Sequence, residues 1–262
     1  MAPKFPDHPA RRPAVVTGAS AGIGAATAVA LASNGHPVAL GARRVELCEQ
    51  VAAQIRAAGG EAFAHELDVT DEASVSAFHK AVTEALGPVE VVVSNAGGMQ
   101  PGRLWEISTD DLLRELDTNV LGPHRLLTTF GAEMVERRRG DFVVISSDVV
   151  NSPRPHLGAY VSAKWALEGM ARVLQMELEG TGVRASIIRP GPTFTEIAFG
   201  WDQAATLDVV KDGQKWGLIR HFDTLRPDAI ARAVAHVVGA PRGTHISVVD
   251  VNPEAATQVG SA

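Results

Sequence analysis

Ala14-Val15-Val16-Thr17-Gly18-Ala19-Ser20-Ala21-Gly22-Ile23-Gly24 runs from a short apolar stretch into a glycine-rich turn, and Ala25 to Ser33 continue it as an Ala-rich helical run. Gly18, Gly22 and Gly24 have the spacing G-x-x-x-G-x-G. Glycine permits a tight turn and lets backbone approach a pyrophosphate, whose charge then rests at a helix N-terminus. Alone, such glycines make only a turn. Between a first strand and a helix they predict a dinucleotide site.

Outward from this turn, short apolar runs alternate with longer helical ones, the pattern of a parallel sheet with helices on both faces. Strands are predicted at Ala14–Thr17, Pro37–Gly41, Glu61–His65, Val89–Val93, Asp141–Ser146, Val183–Ile188 and His245–Val249. Seven strands predict an α/β fold: one doubly wound, Rossmann-type domain over residues 13–262, preceded by a flexible arm over residues 1–12. A chain of 262 residues, 45% hydrophobic, is large enough to bury such a core without a second domain.

The end of the second strand bears on the nicotinamide cofactor. NAD sites generally place an acid there for the ribose 2′-hydroxyl, whereas a 2′-phosphate needs a cation. Here Val38-Ala39-Leu40-Gly41-Ala42 leads into Arg43-Arg44. Ala42 stands where the acid is expected, and the planar guanidinium of Arg43 can pair with phosphate, so NADP(H) is favoured and NAD(H) stays possible. The alternative makes both arginines solvated residues opening the helix Val45 to Ala58.

Net charge of −6 and a pI near 5.8 give no electrostatic reason to expect nucleic acid or an acidic membrane surface. Arg137, Arg138 and Arg139 are the one tight basic run, expected to cap a helix C-terminus. The single cysteine, Cys48, excludes an internal disulfide and reads as packing. Met1 to Pro13 lacks a signal-peptide core, and no run approaches the ~18 apolar residues of a membrane span, so a cytoplasmic location is expected. His156, His221 and His245 have no ligand spacing, and no metal site is expected.

Tyr160 and Lys164, four residues apart in Tyr160-Val161-Ser162-Ala163-Lys164, project from one helix face. A phenol titrates near pH 10, and a nearby ammonium moves it toward the operating range. Ser147, thirteen residues upstream, ends the apolar run Phe142-Val143-Val144-Ile145-Ser146-Ser147. A strand-end hydroxyl facing a helix-borne tyrosine can hold a substrate oxygen between them.

These residues, with the turn Thr17 to Gly24, resemble the short-chain dehydrogenase/reductase family over roughly residues 13 to 250. The resemblance implies Tyr160 as acid/base, Ser147 as the group orienting the substrate oxygen, and Lys164 as the residue that binds the ribose and lowers the tyrosine pKa. It implies cofactor contacts from Gly18, Ser20, Ala21, Gly22, Ile23 and Gly24, although Ala21 lies where NADP-preferring relatives often carry a second base. Asp68-Val69 would meet the adenine, or Asp68 would cap the helix starting near Asp71. Ser94-Asn95-Ala96-Gly97-Gly98 is similar to the family's N-N-A-G, letting the cofactor ribose pass Asn95, Ala96 and Gly97. Arg189-Pro190-Gly191-Pro192-Thr193-Phe194-Thr195 resembles its P-G-x-x-x-T, placing Thr193 backbone and Thr195 side chain at the carboxamide and pyrophosphate. Asn119 would support a proton relay through a water on its backbone carbonyl, or serve as a structural hydrogen-bonding residue.

Residues 196–222 are expected to form a substrate lid. Phe199, Trp201, Leu207, Val209, Val210, Trp216, Leu218 and Phe222 would make an apolar pocket with Met99, Val149, Val150 and Pro192, or pack on another subunit. Asp148 would touch a polar substrate group or face a solvated loop. The helix around Lys164 is apolar nearly all round, which predicts one side on the sheet and another on a second copy, and so a homodimer or homotetramer. The expected function is interconversion of an alcohol and a ketone or aldehyde of an apolar small molecule. The alternatives are an NAD(H)-dependent alcohol dehydrogenase and a non-catalytic dinucleotide-binding sensor.

Overall fold

Runs such as Val91-Val92-Val93 are apolar without alternation, as strands covered on both faces must be. The computed structural model, which describes residues 7–198, 200–219 and 221–256, orders them accordingly. In chain order the elements are β1 (Ala14–Thr17), α1 (Gly22–Ser33), β2 (Val38–Ala42), α2 (Val45–Ala57), β3 (Ala62–Glu66), α3 (Glu72–Leu86) and β4 (Val91–Ser94). A long helical stretch follows, α4 (Thr109–Leu116), α5 (Gly122–Leu126) and α6 (Ala132–Glu136), joined by π-helical turns at Asp117–Leu121 and Leu127–Gly131. Then come β5 (Gly140–Ile145), α7 (Gly158–Glu177), β6 (Val183–Pro190), α8 (Gln203–Lys215), α9 (Pro227–Gly239) and β7 (Val248–Val251).

Seven parallel strands form one sheet in the order β3-β2-β1-β4-β5-β6-β7. Alternate residues feed opposite faces. Val16, Leu40 and Ile188 pack with α1, α2 and α9, while Val15, Phe142 and Ile187 pack with α3, the long helical stretch and α7. Cys48 is fully buried in the first layer, and burial pushes its thiol up to about 11. No helix among the described residues is long and apolar enough to cross a membrane.

Several boundaries differ from those expected. The second strand starts at Val38, because Pro37 has no N–H to donate and offers only its carbonyl to Ala14. The last strand begins at Val248 rather than His245, whose imidazole instead bonds the carbonyl of Ala185. The arm expected over residues 1–12 is tied down within its described part: Arg11 donates to Glu61 and the Leu86 carbonyl, and Arg12 is buried against Asp141 and the Val238 carbonyl. Arg137 and Arg139 reach the Val89 carbonyl and Glu90 rather than capping their own helix.

Candidate active site

Strand order reverses between β1 and β4, so the loops after their C-terminal ends diverge and leave a crevice. A cavity of about 550 Å³ occupies it. Its glycines are there for steric reasons. Gly18 has φ +66°, and a Cβ on it would lie 2.9 Å from the Ala96 Cα. A Cβ on Gly24 would lie 2.3 Å from the Gly18 carbonyl oxygen, so this residue packs behind the turn and not on the cavity wall. The N-terminus of α1 opens at the same place with no side-chain cap, leaving its first-turn N–H groups aimed at whatever anion enters.

Gly18, Ser20, Ala21, Gly22, Ile23, Arg43, Arg44, Asp68, Val69, Asn95, Ala96, Gly97 and Thr195 line this cavity. Asn95 braces its floor, donating through Nδ2 to the Thr17 carbonyl at 2.9 Å, while Thr17 Oγ1 accepts from the N–H groups of Asn95 and Ala96. Arg43 is exposed. Arg44 donates to Ser20 Oγ at 3.1 Å and to Glu196 at 3.0 Å. Asp68 is not the helix cap; Asp71 is, accepting from the N–H groups of Ala73 and Ser74. Asp68 accepts from Thr70 instead. Burial opposes its ionisation, but those bonds and the nearby Arg43 hold its carboxyl below the usual range. Pro190, Gly191 and Thr193 do not reach the cavity wall: Gly191 donates to the Val251 carbonyl, and Thr193 bonds Gly191 and pairs with Leu225. The glycine cradle, the uncapped helix and a cation at the end of β2 together fit a nicotinamide dinucleotide.

Beyond the cavity wall, α7 brings Tyr160 and Lys164 beneath the end of β5, where both are buried. The Lys164 ammonium sits 5.5 Å from the Tyr160 ring centre and donates to the Ile145 carbonyl at 2.9 Å. Ser147 is hydrogen-bonded to Tyr160, accepts from Val149 N–H and donates to Asp148 at 3.3 Å. Burial pushes the Tyr160 phenol up to about 12; Ser147 and Arg154 work against that, while Asp148 and Glu115 add to it. Burial pulls Lys164 down to about 8, with Glu115 and Glu168 opposing.

Asn119 lies in the first π-helical turn, a distortion that recurs at functional sites. Its Nδ2 donates to the Gly98 carbonyl at 3.1 Å, the Glu115 carbonyl at 3.0 Å and Glu115 Oε2 at 2.9 Å. Its buried Oδ1 has no partner. A Cβ on Gly97 would lie 2.8 Å from that oxygen and 3.8 Å from Lys164 Nζ, so the Gly97 backbone passes between the cavity and the pair Asn119 and Lys164.

Three groups went unread in the sequence, and a fourth, His156, was read only for its lack of ligand spacing. Glu115 is buried on α4 and accepts from the Gln100 N–H at 2.7 Å; burial pushes its carboxyl up. Its signal was a carboxylate in an apolar stretch four residues before Asn119. Glu168, buried under α7, receives Ser146 Oγ at 2.7 Å and the Arg189 guanidinium. Arg154 grips both oxygens of Asp148. His156, with φ +64°, lies 2.9 Å from Asp212 of α8.

The segment 196–222 carries α8 (Gln203–Lys215), and Trp201 Nε1 donates to the Met99 carbonyl at 2.8 Å. Leu207, Trp216 and Phe222 face outward, at 61%, 64% and 67% exposure, so they do not line a pocket; Phe199 lies outside the described residues.

A family model described as short chain dehydrogenase matches residues 12–205. The glycine betaine reductase ATRR of Emericella nidulans is 34% identical over 240 residues, which make up 92% of this chain but only 18% of that protein. The 2,3-dihydro-2,3-dihydroxybenzoate dehydrogenase of Bacillus subtilis is 30% identical over 244 residues, 90% of this chain and 91% of that one. An alcohol dehydrogenase of the archaeon Thermococcus sibiricus, solved with 5-hydroxy-NADP, superposes with a TM-score of 0.79 at 36% identity, covering 92% of this chain and 96% of that one. A short chain dehydrogenase/reductase from Burkholderia phymatum, solved with NAD, gives 0.79 at 25% identity over 91% of this chain and 88% of that one.

Proposed function

Because the chain belongs to the short-chain dehydrogenase family and is an oxidoreductase, we propose that it interconverts an alcohol and a ketone or aldehyde with NADP(H), using Tyr160 as acid/base. What carries this reading is the meeting of Ser147, Tyr160 and Lys164 at the end of β5, behind a cavity walled by the glycine turn. NADPH bound in that cavity supplies the hydride. Tyr160 gives its phenolic proton to the substrate oxygen, and Ser147 donates a hydrogen bond to the same atom. Lys164, still charged at neutral pH, holds the ribose hydroxyls and places positive charge beside the phenol. Asn119, fixed by Glu115, keeps its carboxamide oxygen on the Lys164 side of the site. Met99, Val149 and Val150 favour an apolar substrate.

Arg43 supports the choice of NADP(H), as does the likeness to a structure holding an NADP derivative. A second reading, NAD(H), draws on the engagement of Arg44 with Glu196 and on the NAD-bound neighbour. The exposed Trp165, Val173 and Met176 of α7, with Leu113 and Leu121, make a face on which a second copy packs, giving a homodimer or homotetramer.

Calorimetric titration with NADPH and NADH side by side tests the reading. NADPH binding tighter is the expected result, with Arg43→Ala losing roughly tenfold, ~1.4 kcal/mol, for NADPH alone. Tighter NADH binding moves the assignment to NAD(H). Binding of neither overturns the enzyme reading.

A further inference from the structure

Asp148 sets a problem for this site. It follows the hydroxyl that serves the substrate oxygen, and that hydroxyl already points at it across 3.3 Å. Hydrogen bonds from O–H to a free carboxylate close to about 2.5–2.7 Å. This contact is longer, and the carboxylate is engaged elsewhere. Arg154, between Pro153 and Pro155, supplies the reason: one terminal nitrogen donates to Oδ1 at 3.1 Å and the other to Oδ2. Both side chains are mostly screened from solvent, at 18% and 16% exposure.

We infer that Arg154 is a positioning residue: its two-pronged grip on Asp148 keeps that carboxylate from capturing the Ser147 hydroxyl, and so leaves Ser147 free to serve the substrate oxygen beside Tyr160. The inference rests on the reading of Ser147 and Tyr160 as the proton-handling pair. Without Arg154, Asp148 takes the serine proton in a short, charge-assisted bond. Its bare charge then stands where negative charge develops on the substrate oxygen, opposing rather than stabilising it. The charged and titratable groups around Tyr160 are Asp148 and Arg154 from the loop after β5, Glu115 from α4 and Lys164 from its own helix. Asp148 and Arg154 act on the phenol in opposite directions, so removing one unmasks the other.

The chain has a single tyrosine, so its ultraviolet phenolate band reports Tyr160 and nothing else, with no substrate required. The variants are Arg154→Met, Asp148→Asn and the double change, each checked for folding by circular dichroism across the titration. Expected is a phenolate midpoint lowered by roughly one pH unit or more in Asp148→Asn, raised beyond the folded range in Arg154→Met, and returned to the wild-type value or below in the double variant. With NADPH and 9,10-phenanthrenequinone as probe, Arg154→Met loses about tenfold or more in kcat with the KM for NADPH unchanged, and the double variant recovers most of it.

A phenolate midpoint that Asp148→Asn leaves unmoved overturns the inference, as does a double variant no faster than Arg154→Met. Should Arg154→Met fail to fold, Asp148→Asn alone decides by its titration. Should the wild type bind neither NADPH nor NADH and reduce the quinone with neither, the enzyme reading has failed, and the titration still reports separately whether Asp148 and Arg154 set the phenol.

Discussion

Tyr160 and Lys164 occupy a site whose burial works against both their charges: the phenol is pushed up to about 12 and the ammonium pulled down to about 8. On the proposed reading, turnover needs the neighbours that stabilise phenolate, and Tyr160→Phe removes the proposed proton donor. Expected is a fall in kcat of roughly 10²–10⁴ with NADPH affinity preserved in calorimetry; full turnover would take Tyr160 out of its role. Lys164 carries a stability consequence of opposite sign to an ordinary ion pair. Between pH 8 and 10.5 the unfolded chain holds a proton that the folded chain has released, so stability gains with rising pH across that window. Lys164→Met should accordingly be more stable than wild type at pH 7 by up to ~3 kcal/mol, the gap closing by pH 10.5. Urea denaturation at both pH values measures it, and a gap that widens with pH would contradict the assignment.

The helical stretch that carries Glu115 and Asn119 is not one uniform α-helix. The π-helical turns at Asp117–Leu121 and Leu127–Gly131 interrupt it, and the first carries the buried Asn119. Side chains of residues 196–222 tie this segment to the body of the chain: Glu196 on Arg44, Trp201 on the Met99 carbonyl and Asp212 on His156. His156 holds φ +64°, a conformation glycine adopts without strain. His156→Gly relieves that strain and cuts the tie to α8. Expected is faster amide hydrogen exchange over Gln203–Lys215 while global stability holds or rises by ~1 kcal/mol. Unchanged exchange in α8 would show that the pair does not hold the lid.

For the whole molecule, the outer side of α7 presents exposed apolar side chains. Glu168, Leu167 and Leu174 turn the inner side of α7 to the sheet, while Trp165, Val173 and Met176 stand 58%, 55% and 77% exposed on the other. Apolar surface of this extent on one helix is costly to leave in water. Analytical ultracentrifugation is expected to find a dimer or tetramer, and Met176→Glu with Trp165→Glu to shift it toward monomer. A monomeric wild type would remove the assembly from the proposal.

The sequence by itself determined the sheet, the glycine turn and the pairing of Tyr160 with Lys164 on one helix face. Each rests on a short-range regularity: an unbroken apolar run, glycines where backbones touch, a helical spacing of four. Only the tertiary structure decided the electrostatics. Asp212 on His156 and Glu196 on Arg44 join groups from different loops and helices, and Arg12 meets Asp141 across 129 positions. The turn Pro190 to Thr193 was legible as a motif, yet its backbone bonds went to β7 and Leu225, leaving Thr195 to face the cavity. Local pattern tells which face of a strand or helix is buried. It does not tell which charge lies across the gap, because that pairing is set by how the layers pack and how far each side chain reaches once water has been excluded.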